Sequence, residues 1–394
     1  MCYAIPGKVV GIENSLVTID YFGEKKYAKN DFFSLKIGEY VYAQGGFIIQ
    51  RVSEEEALPI LEAWKELFFK LQEIDSRISA KPQNLYQRAN YLRQKYSGNS
   101  CCVHGIIEFS NYCRNDCLYC GLRKSNDRIR RYRMEIGEII NTAEYAVKKL
   151  GFKALVLQSG EDVWYDEDKI CKIVSGILKN CACLIILSIG EREESLFGKA
   201  YKVGARGLLL RFETGNPILY EKFRPGHIWK ERVGLIKKLS ALGYLIMSGF
   251  LIGLPGQTKE DLEKDIDLTA SLKPEMFSFG PFIPHPNTPL GDFPKPSLEF
   301  VLDIIAQTRM KYPDSRILVT TALETLDKIN GLRLGLLSGA NSLMINVTPQ
   351  KYRTLYEIYP ERAGTEISVE GRIGYVIKLL QSLGRAPTDL GRGG

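Results

Sequence analysis

Over roughly the first fifty residues apolar and polar positions alternate with a period of two, interrupted by Gly and Asn, in "KVVGIE", "LVTIDYFG", "KKYAKNDF" and "YVYAQGGFIIQRV". Successive side chains of a strand point to opposite faces, so this text predicts the hairpins of a small β-barrel. At "SEEEALPILEAWKELFFKLQEI" the period becomes helical. Ser53 is placed to cap that helix, and Glu54, Glu55 and Glu56 fill its first turn, where the dipole favours negative charge. "SRISAKPQN", residues 76–84, then reads as a linker.

After Asn84 the pattern changes to short apolar, β-branched runs separated by amphipathic helical segments. Eight such runs occur: "VHGIIEFS", "KALVLQSG", "CLIILSIG", "GLLLRFET", "LIMSGFLIG", "EMFSFGPF", "RILVTTAL" and "NSLMINVT". Strand-helix alternation implies a parallel sheet, and eight units imply an α/β fold closed as a (β/α)8 TIM-type barrel. The expected organisation is a small N-terminal β-barrel plus helix over residues 1–75, a linker and lead-in helix over 76–100, and the large barrel over 101–394. Polar text ends several runs: "QSGED", "SIGE", "RFET", "GLPGQT", "GPFIPHP" and "TTA". In such a barrel these ends share one rim, where the active site belongs.

Composition narrows the class. The 394 residues are 45% hydrophobic and 25% charged, and no apolar run is long enough to span a bilayer. "MCYAIPGKVV" lacks the features of a secretory signal, so the expected location is the cytoplasm. The net charge of +7 comes from interleaved charges rather than a basic face. Its densest basic run, "RKSNDRIRRYR" at residues 123–133, belongs to no recognised nucleic-acid module and shows no set of stacking positions, which argues against nucleic acid and for a positive surround to an anionic group.

Nine cysteines in a long chain of this kind point to metal or redox chemistry rather than disulfides. Three of them, Cys113, Cys117 and Cys120 in "CRNDCLYC", follow the first large-barrel strand. Soft thiolates at this spacing suit zinc or an iron-sulfur centre. A structural zinc needs four closed ligands, and Cys101, Cys102 and His104 are the candidates to complete one, although their strand runs away from the loop. A cubane held by three cysteines instead leaves one iron open to another ligand.

The spacing CxxxCxxC, with Tyr119 before the last cysteine, on the first strand-loop of an eightfold chain resembles the radical S-adenosylmethionine (SAM) family. "IIEFSNYCRNDCLYCGLR", "YRM", "LQSGED", "RFETGNP", "GPFIPHPNTPL", "NVTP" and "YRTLYEIYP" resemble HydE-type FeFe-hydrogenase maturases over residues 84–385. Methylornithine and biotin synthases are more distant relatives. The resemblance implies that Cys113, Cys117 and Cys120 bind a 4Fe-4S cluster whose open iron takes SAM for cleavage to a 5'-deoxyadenosyl radical. It places Tyr119, Gln158, Ser159, Gly160, Glu161, Glu213 and Arg232 around SAM, the arginine on its carboxylate. His104, Met276, Thr320, Thr321, Tyr356 and Tyr359 fall at substrate-facing positions. Two cavity arginines of HydE are replaced, by His104 and by Gly207, with Arg206 one residue out of register and therefore on the opposite face.

"MCYAIPGKVV" and "GEYVYAQGGFIIQRVSEEEA" resemble HypC, a NiFe-hydrogenase maturation chaperone. That resemblance implies an iron-ligand role for Cys2, with Gln44 where the family has an assisting histidine; the alternatives are an unremarkable terminal thiol and a module that only docks a partner protein. Together the two resemblances imply a cytoplasmic radical SAM enzyme of iron-metallocofactor assembly. It would use a small or organometallic substrate, a maturation partner and an electron donor such as ferredoxin or flavodoxin, and would engage neither nucleic acid nor membrane. Two alternatives stand beside it: a carbon-skeleton mutase like methylornithine synthase, and a non-catalytic carrier of an iron fragment.

Overall fold

The computed structural model describes residues 4–388 and 392–393, so Cys2 lies outside the described residues. The alternating N-terminal text forms five strands, β1 (Gly7–Glu13), β2 (Leu16–Tyr21), β3 (Glu24–Lys29), β4 (Tyr40–Gln44) and β5 (Phe47–Val52). They run in the order β3-β2-β1-β4-β5, and a pairing of Lys29 with Phe47 joins the two ends into a small barrel. Every second residue turns inward, so Val9, Val17, Ile19, Val41 and Ile48 share a core with Trp64, Phe68 and Leu71 of the following helix.

That helix, α1 (Glu54–Ser79), starts as expected: the Ser53 hydroxyl accepts from the Glu56 N–H at 3.3 Å. It ends later than expected, leaving only residues 80–84 as the connection to α2 (Leu85–Ser97). The reason is tertiary. Asp75 and Ser79 on its last turns are buried, and both Asp75 oxygens accept from the Arg93 guanidinium of α2 at 2.6 Å. Arg385, near the end of the described chain, reaches the same carboxylate at 3.4 Å and donates to Asn90 Oδ1 at 2.7 Å.

The large barrel is built from β6 (Cys102–Ser110), β7 (Ala154–Ser159), β8 (Leu184–Ser188), β9 (Gly207–Leu209), β10 (Leu245–Ser248) with its continuation β11 (Leu251–Ile252), β12 (Met276–Phe277) with β13 (Gly280–Pro281), β14 (Leu318–Val319) and β15 (Ser342–Asn346). These are the eight runs expected from sequence. Eight of the strands form one parallel sheet, in the order β12-β10-β9-β8-β7-β6-β15-β14. A parallel bridge from Phe277 to Ile317 closes the ring. Each unit returns through one or more helices, beginning with α3 (Ile136–Lys148), whose apolar faces cover the outside of the sheet. A last short strand, β16 (Arg392–Gly393), pairs with β3.

The small barrel sits against the N-terminal end of the large one. The tip of its β4–β5 hairpin enters so closely that a Cβ on Gly45 would meet the side chains of Leu184 and Leu245, the first residues of β8 and β10. Lys153, just before β7, donates to Gln50 at 3.1 Å and lies over the Tyr42 ring. Arg206 points away from the lumen, as its register requires, and reaches Asp31 at 3.2 Å while stacking on Phe32. Among the described residues, no helix is long and apolar enough to cross a membrane.

Removing the Asp75 carboxylate leaves Arg93 and Arg385 buried without their shared anion. Asp75→Ala should therefore lower unfolding free energy by about 3–5 kcal/mol. Urea denaturation checks this, and a change below about 1 kcal/mol would show that the junction is held by something else.

Candidate active site

The cysteine loop leaves the C-terminal end of β6 and is tied on three sides by backbone bonds. Arg114 N–H donates to Glu161 O at 3.0 Å, Leu118 N–H to Phe223 O at 2.9 Å and Gly121 N–H to Ile358 O at 2.8 Å. Arg131 braces it from within, donating to the carbonyl oxygens of Asn111, Leu122, Arg123 and Asn126. The rest of the basic run is also engaged locally: Arg123 pairs with Asp116, Arg133 with Asp162, and Arg128 bonds Asn287. Most of these charges thus secure the loop, and Arg131 among them also acts electrostatically on Cys113 and Cys120.

Cys113, Cys117 and Cys120 line one cavity of about 310 Å³ at the barrel mouth. Burial pushes all three thiols up from their ordinary pKa, and for Cys120 the neighbouring Cys117 and Cys113 add to that effect. Among the described residues, no three His, Cys, Asp or Glu side chains gather closely enough to hold a single metal ion. Three thiols are one short of the four ligands that close a structural zinc site, and they suit a larger, multi-iron body.

The turn after β7 lies directly beneath the loop. A Cβ on Gly160 would fall on the Tyr112 carbonyl and within 3.0 Å of Cys113 Cβ, so only glycine permits the approach. Next to it, the Glu161 N–H donates to Cys113 Sγ at 3.4 Å. The Glu161 carboxylate is buried and accepts from Arg114 Nε at 2.6 Å, Asn115 Nδ2 at 3.0 Å and the Glu191 N–H at 2.7 Å. Its oxygens therefore anchor the loop. Gln158 and Ser159 face the cavity, with Ser188 Oγ donating to Gln158 Oε1 at 3.4 Å.

Glu213 lines the opposite wall with a left-handed backbone, φ 66°, a strained state for a non-glycine residue that aims side chains at functional sites. Its buried Oε2 has no hydrogen-bond partner among the described residues, the nearest cation being Arg211 Nη2 at 3.4 Å. Arg224 Nε and Arg362 Nε are likewise buried and unbonded among the described residues, and both residues line the same cavity. Orphaned polar atoms on three walls fit a polar ligand bound between them.

Arg232 lines the cavity too, but its guanidinium is shared between Arg211 O at 2.8 Å and Glu191 Oε1 at 2.8 Å. Glu191, from "SIGE", also meets Arg224 at 3.2 Å and His227 at 3.6 Å. Burial pushes its carboxyl up, but His227, Arg232 and Arg224 together outweigh burial and hold it down to about 2. Glu191 was legible only as one acid among several at strand ends.

Of the substrate-facing candidates, Thr320, Thr321, Tyr356 and Tyr359 line the cavity, with Thr320 Oγ1 also capping a helix by accepting from Leu323 N–H at 3.3 Å. His104 and Met276 do not line it. Each stands near the beginning of its strand, so it faces the lumen well below the mouth. The "GLPGQT" turn closes on itself, Gln257 Oε1 accepting from Gly253 N–H at 2.8 Å, and lies outside the cavity. Other cations line the cavity, at positions different from those of the two replaced arginines. Arg353, Arg362 and Arg372, from the C-terminal segment, all line the cavity, and Arg362 pairs with the buried Glu108, which also accepts from Asn346 Nδ2 at 2.7 Å. Nothing in the spacing of "YPERAG" announced that Arg362 would return to the first strand.

The description "Radical SAM superfamily" matches residues 107–269, and "HupF/HypC family" matches residues 1–64. The chain is 42% identical to the [FeFe] hydrogenase maturase subunit HydE of Thermotoga maritima, over 77% of this chain and 86% of that protein. It is 32% identical to 3-methylornithine synthase of Methanosarcina acetivorans, over 77% of this chain and 85% of that protein. The crystal structure of methylornithine synthase superposes with a TM-score of 0.69 at 27% identity, covering 82% of this chain and 97% of that one. With this identity to HydE carried over most of both chains, and with its cysteine loop at the mouth of an eightfold barrel, the chain belongs to the radical SAM superfamily as a HydE-like enzyme bearing an N-terminal HupF/HypC-family domain.

Proposed function

We propose that this radical SAM enzyme acts in the assembly of a hydrogenase-type or other iron metallocofactor. The observation that carries the reading is the pairing of two modules: a cavity lined by three thiols and by buried, unbonded polar atoms, and a HupF/HypC-family domain docked on the opposite end of the same barrel. A 4Fe-4S cluster with SAM on its open iron supplies, once reduced by a ferredoxin- or flavodoxin-type donor, a 5'-deoxyadenosyl radical. Cys113, Cys117 and Cys120 are the cluster's ligands. Tyr119, packed among Leu219, Phe223 and Phe282, shields them and meets the adenine side.

The backbone around Gln158, Ser159 and Gly160 accepts the amino end of SAM, Arg232 reaches its carboxylate, and Glu213 and Arg224 offer further polar contacts. Arg232 positions Glu191 and the wall beside it. Farther in, Thr320, Thr321, Tyr356, Tyr359 and Arg362 hold a small or organometallic substrate. The N-terminal domain engages a maturation partner, with Cys2 as an iron ligand, in a reducing cytoplasm. A mutase reading is supported by the likeness to 3-methylornithine synthase, but it leaves the docked HupF/HypC-family domain without a task.

Cys117→Ala should retain the fold by circular dichroism yet lose cluster iron and all 5'-deoxyadenosine formation after anaerobic reconstitution; turnover at the wild-type rate would rule out the ligand assignment. Wild-type protein that holds its cluster but makes no 5'-deoxyadenosine would instead point to a carrier. Gly160→Ala should push the cysteine loop off the β7 turn, reducing iron incorporation and altering the cluster's EPR signal, whereas unchanged loading would mean that the loop has room to move.

For Glu191 the lowered pKa sets the sign: its stabilisation is complete above the unfolded value near pH 4.5 and is lost as pH falls toward about 2. Wild type should exceed Glu191→Gln by about 3 kcal/mol near neutral pH, with the gap closing below about pH 4.5. Urea denaturation across that range reads the difference, and a gap independent of pH would refute it.

A further inference from the structure

Cys102 and His104 stand one pleat apart on β6, so both side chains face the barrel lumen with Ile106 and Glu108 above them. Cys102 Sγ and His104 Nε2 lie 3.0 Å apart, and the two residues are 2% and 1% exposed. From the small barrel, the amide of Gln44 reaches the same sulfur at 3.5 Å. A thiol, an imidazole and an amide thus converge from two domains at one buried point. None of the three residues lines the cavity that holds the cysteine loop.

The surroundings favour a soft metal. Cys102 belongs to a lumen cluster that includes Met247 and Met276 and against which Met344 packs. Met344 is the register partner of His104 on β15, and Met247 is the partner of Met276. Thiolate, imidazole and thioether are donors suited to late first-row metals, and the other members of the cluster are aliphatic. The upper members of this cluster, Ile106, Leu209, Leu318 and Met344, form part of the cavity lining, so its floor is the roof over the Cys102–His104 pair.

We infer that Cys102 and His104 form a second metal site at the foot of the lumen, binding a divalent first-row transition-metal ion under the Gln44 cap. Binding replaces the Cys102 S–H bond with a sulfur–metal bond and releases the proton to solvent; no electron is transferred. Nε2 of neutral His104 is the second donor. A half-turn of the Gln44 amide offers its Oε1 as a third, and the remaining positions are filled by ligands the ion brings. The site lies on the barrel axis between the N-terminal domain and the active-site cavity, a position from which metal could pass from one to the other. It does not depend on radical chemistry at the mouth.

The test uses the full-length chain with Cys113, Cys117 and Cys120 replaced by Ala, so that the cluster thiols cannot answer, and Co(II) as the probe under anaerobic conditions. One Co(II) per chain should bind, with a near-ultraviolet sulfur-to-cobalt charge-transfer band. Cys102→Ser should remove that band, and His104→Gln should weaken binding at least about tenfold. Cys2→Ala should leave the band in place; if Cys2→Ala abolishes it and Cys102→Ser does not, the inference is overturned. Should Cys102→Ser fail to fold, X-ray absorption of the Co(II)-loaded parent decides. One sulfur near about 2.3 Å with an imidazole nitrogen near about 2.1 Å supports the site, and a shell of oxygen and nitrogen alone refutes it.

Discussion

The buried carboxylate of Glu161 is the contact around which the mouth of the large barrel is arranged. It receives Arg114 and Asn115 from the cysteine loop and the Glu191 N–H from the turn after β8, so one anion joins the ends of three consecutive units. Gly160 beside it lets the loop descend until backbone meets backbone. Charge-assisted bonds to a buried carboxylate are strong and directional, which is what a loop of irregular backbone needs if its thiols are to hold a fixed spacing. Glu191 extends the arrangement outward, gathering Arg224, His227 and Arg232 along the adjacent wall.

The lower end of the barrel is governed by a different constraint. A parallel barrel of this size fills its lumen with side chains, and its N-terminal face ordinarily serves stability. Here that face accepts another domain's hairpin tip at Gly45, with Arg206 and Lys153 turned outward to meet Asp31, Phe32, Gln50 and Tyr42. The Asp75, Arg93 and Arg385 knot secures the same junction from the side by tying α1, α2 and the C-terminal segment to one anion. The two domains are therefore packed together through buried polar contacts, and the lumen has chemistry at both ends.

Much of this was legible in the chain. Period-2 text marked the small barrel, eight apolar runs marked the large one, and the CxxxCxxC spacing placed three thiols on the loop after its first strand. The register argument for Arg206 also held, because alternation along a strand is a local rule. The resemblance puts His104 and Met276 at substrate-facing positions, but a match along the chain does not say how deep in the lumen a residue lies. Arg362 was missed because its proximity to Glu108 arises from chain return across more than two hundred residues.

What the sequence determined by itself was the periodicity of each element, the order of the units and the spacing of three thiols on one loop, all of which follow from local geometry. Only the tertiary structure decided which acid is spent on anchoring the loop, since Glu161 and Glu213 look alike in text and line the same cavity but differ in whether their oxygens are already bonded. It also decided that Gln44 would meet Cys102 beside His104, a contact made when two separately patterned domains bury a common interface. Burial and partnership are properties of the closed barrel, and no stretch of chain carries them alone.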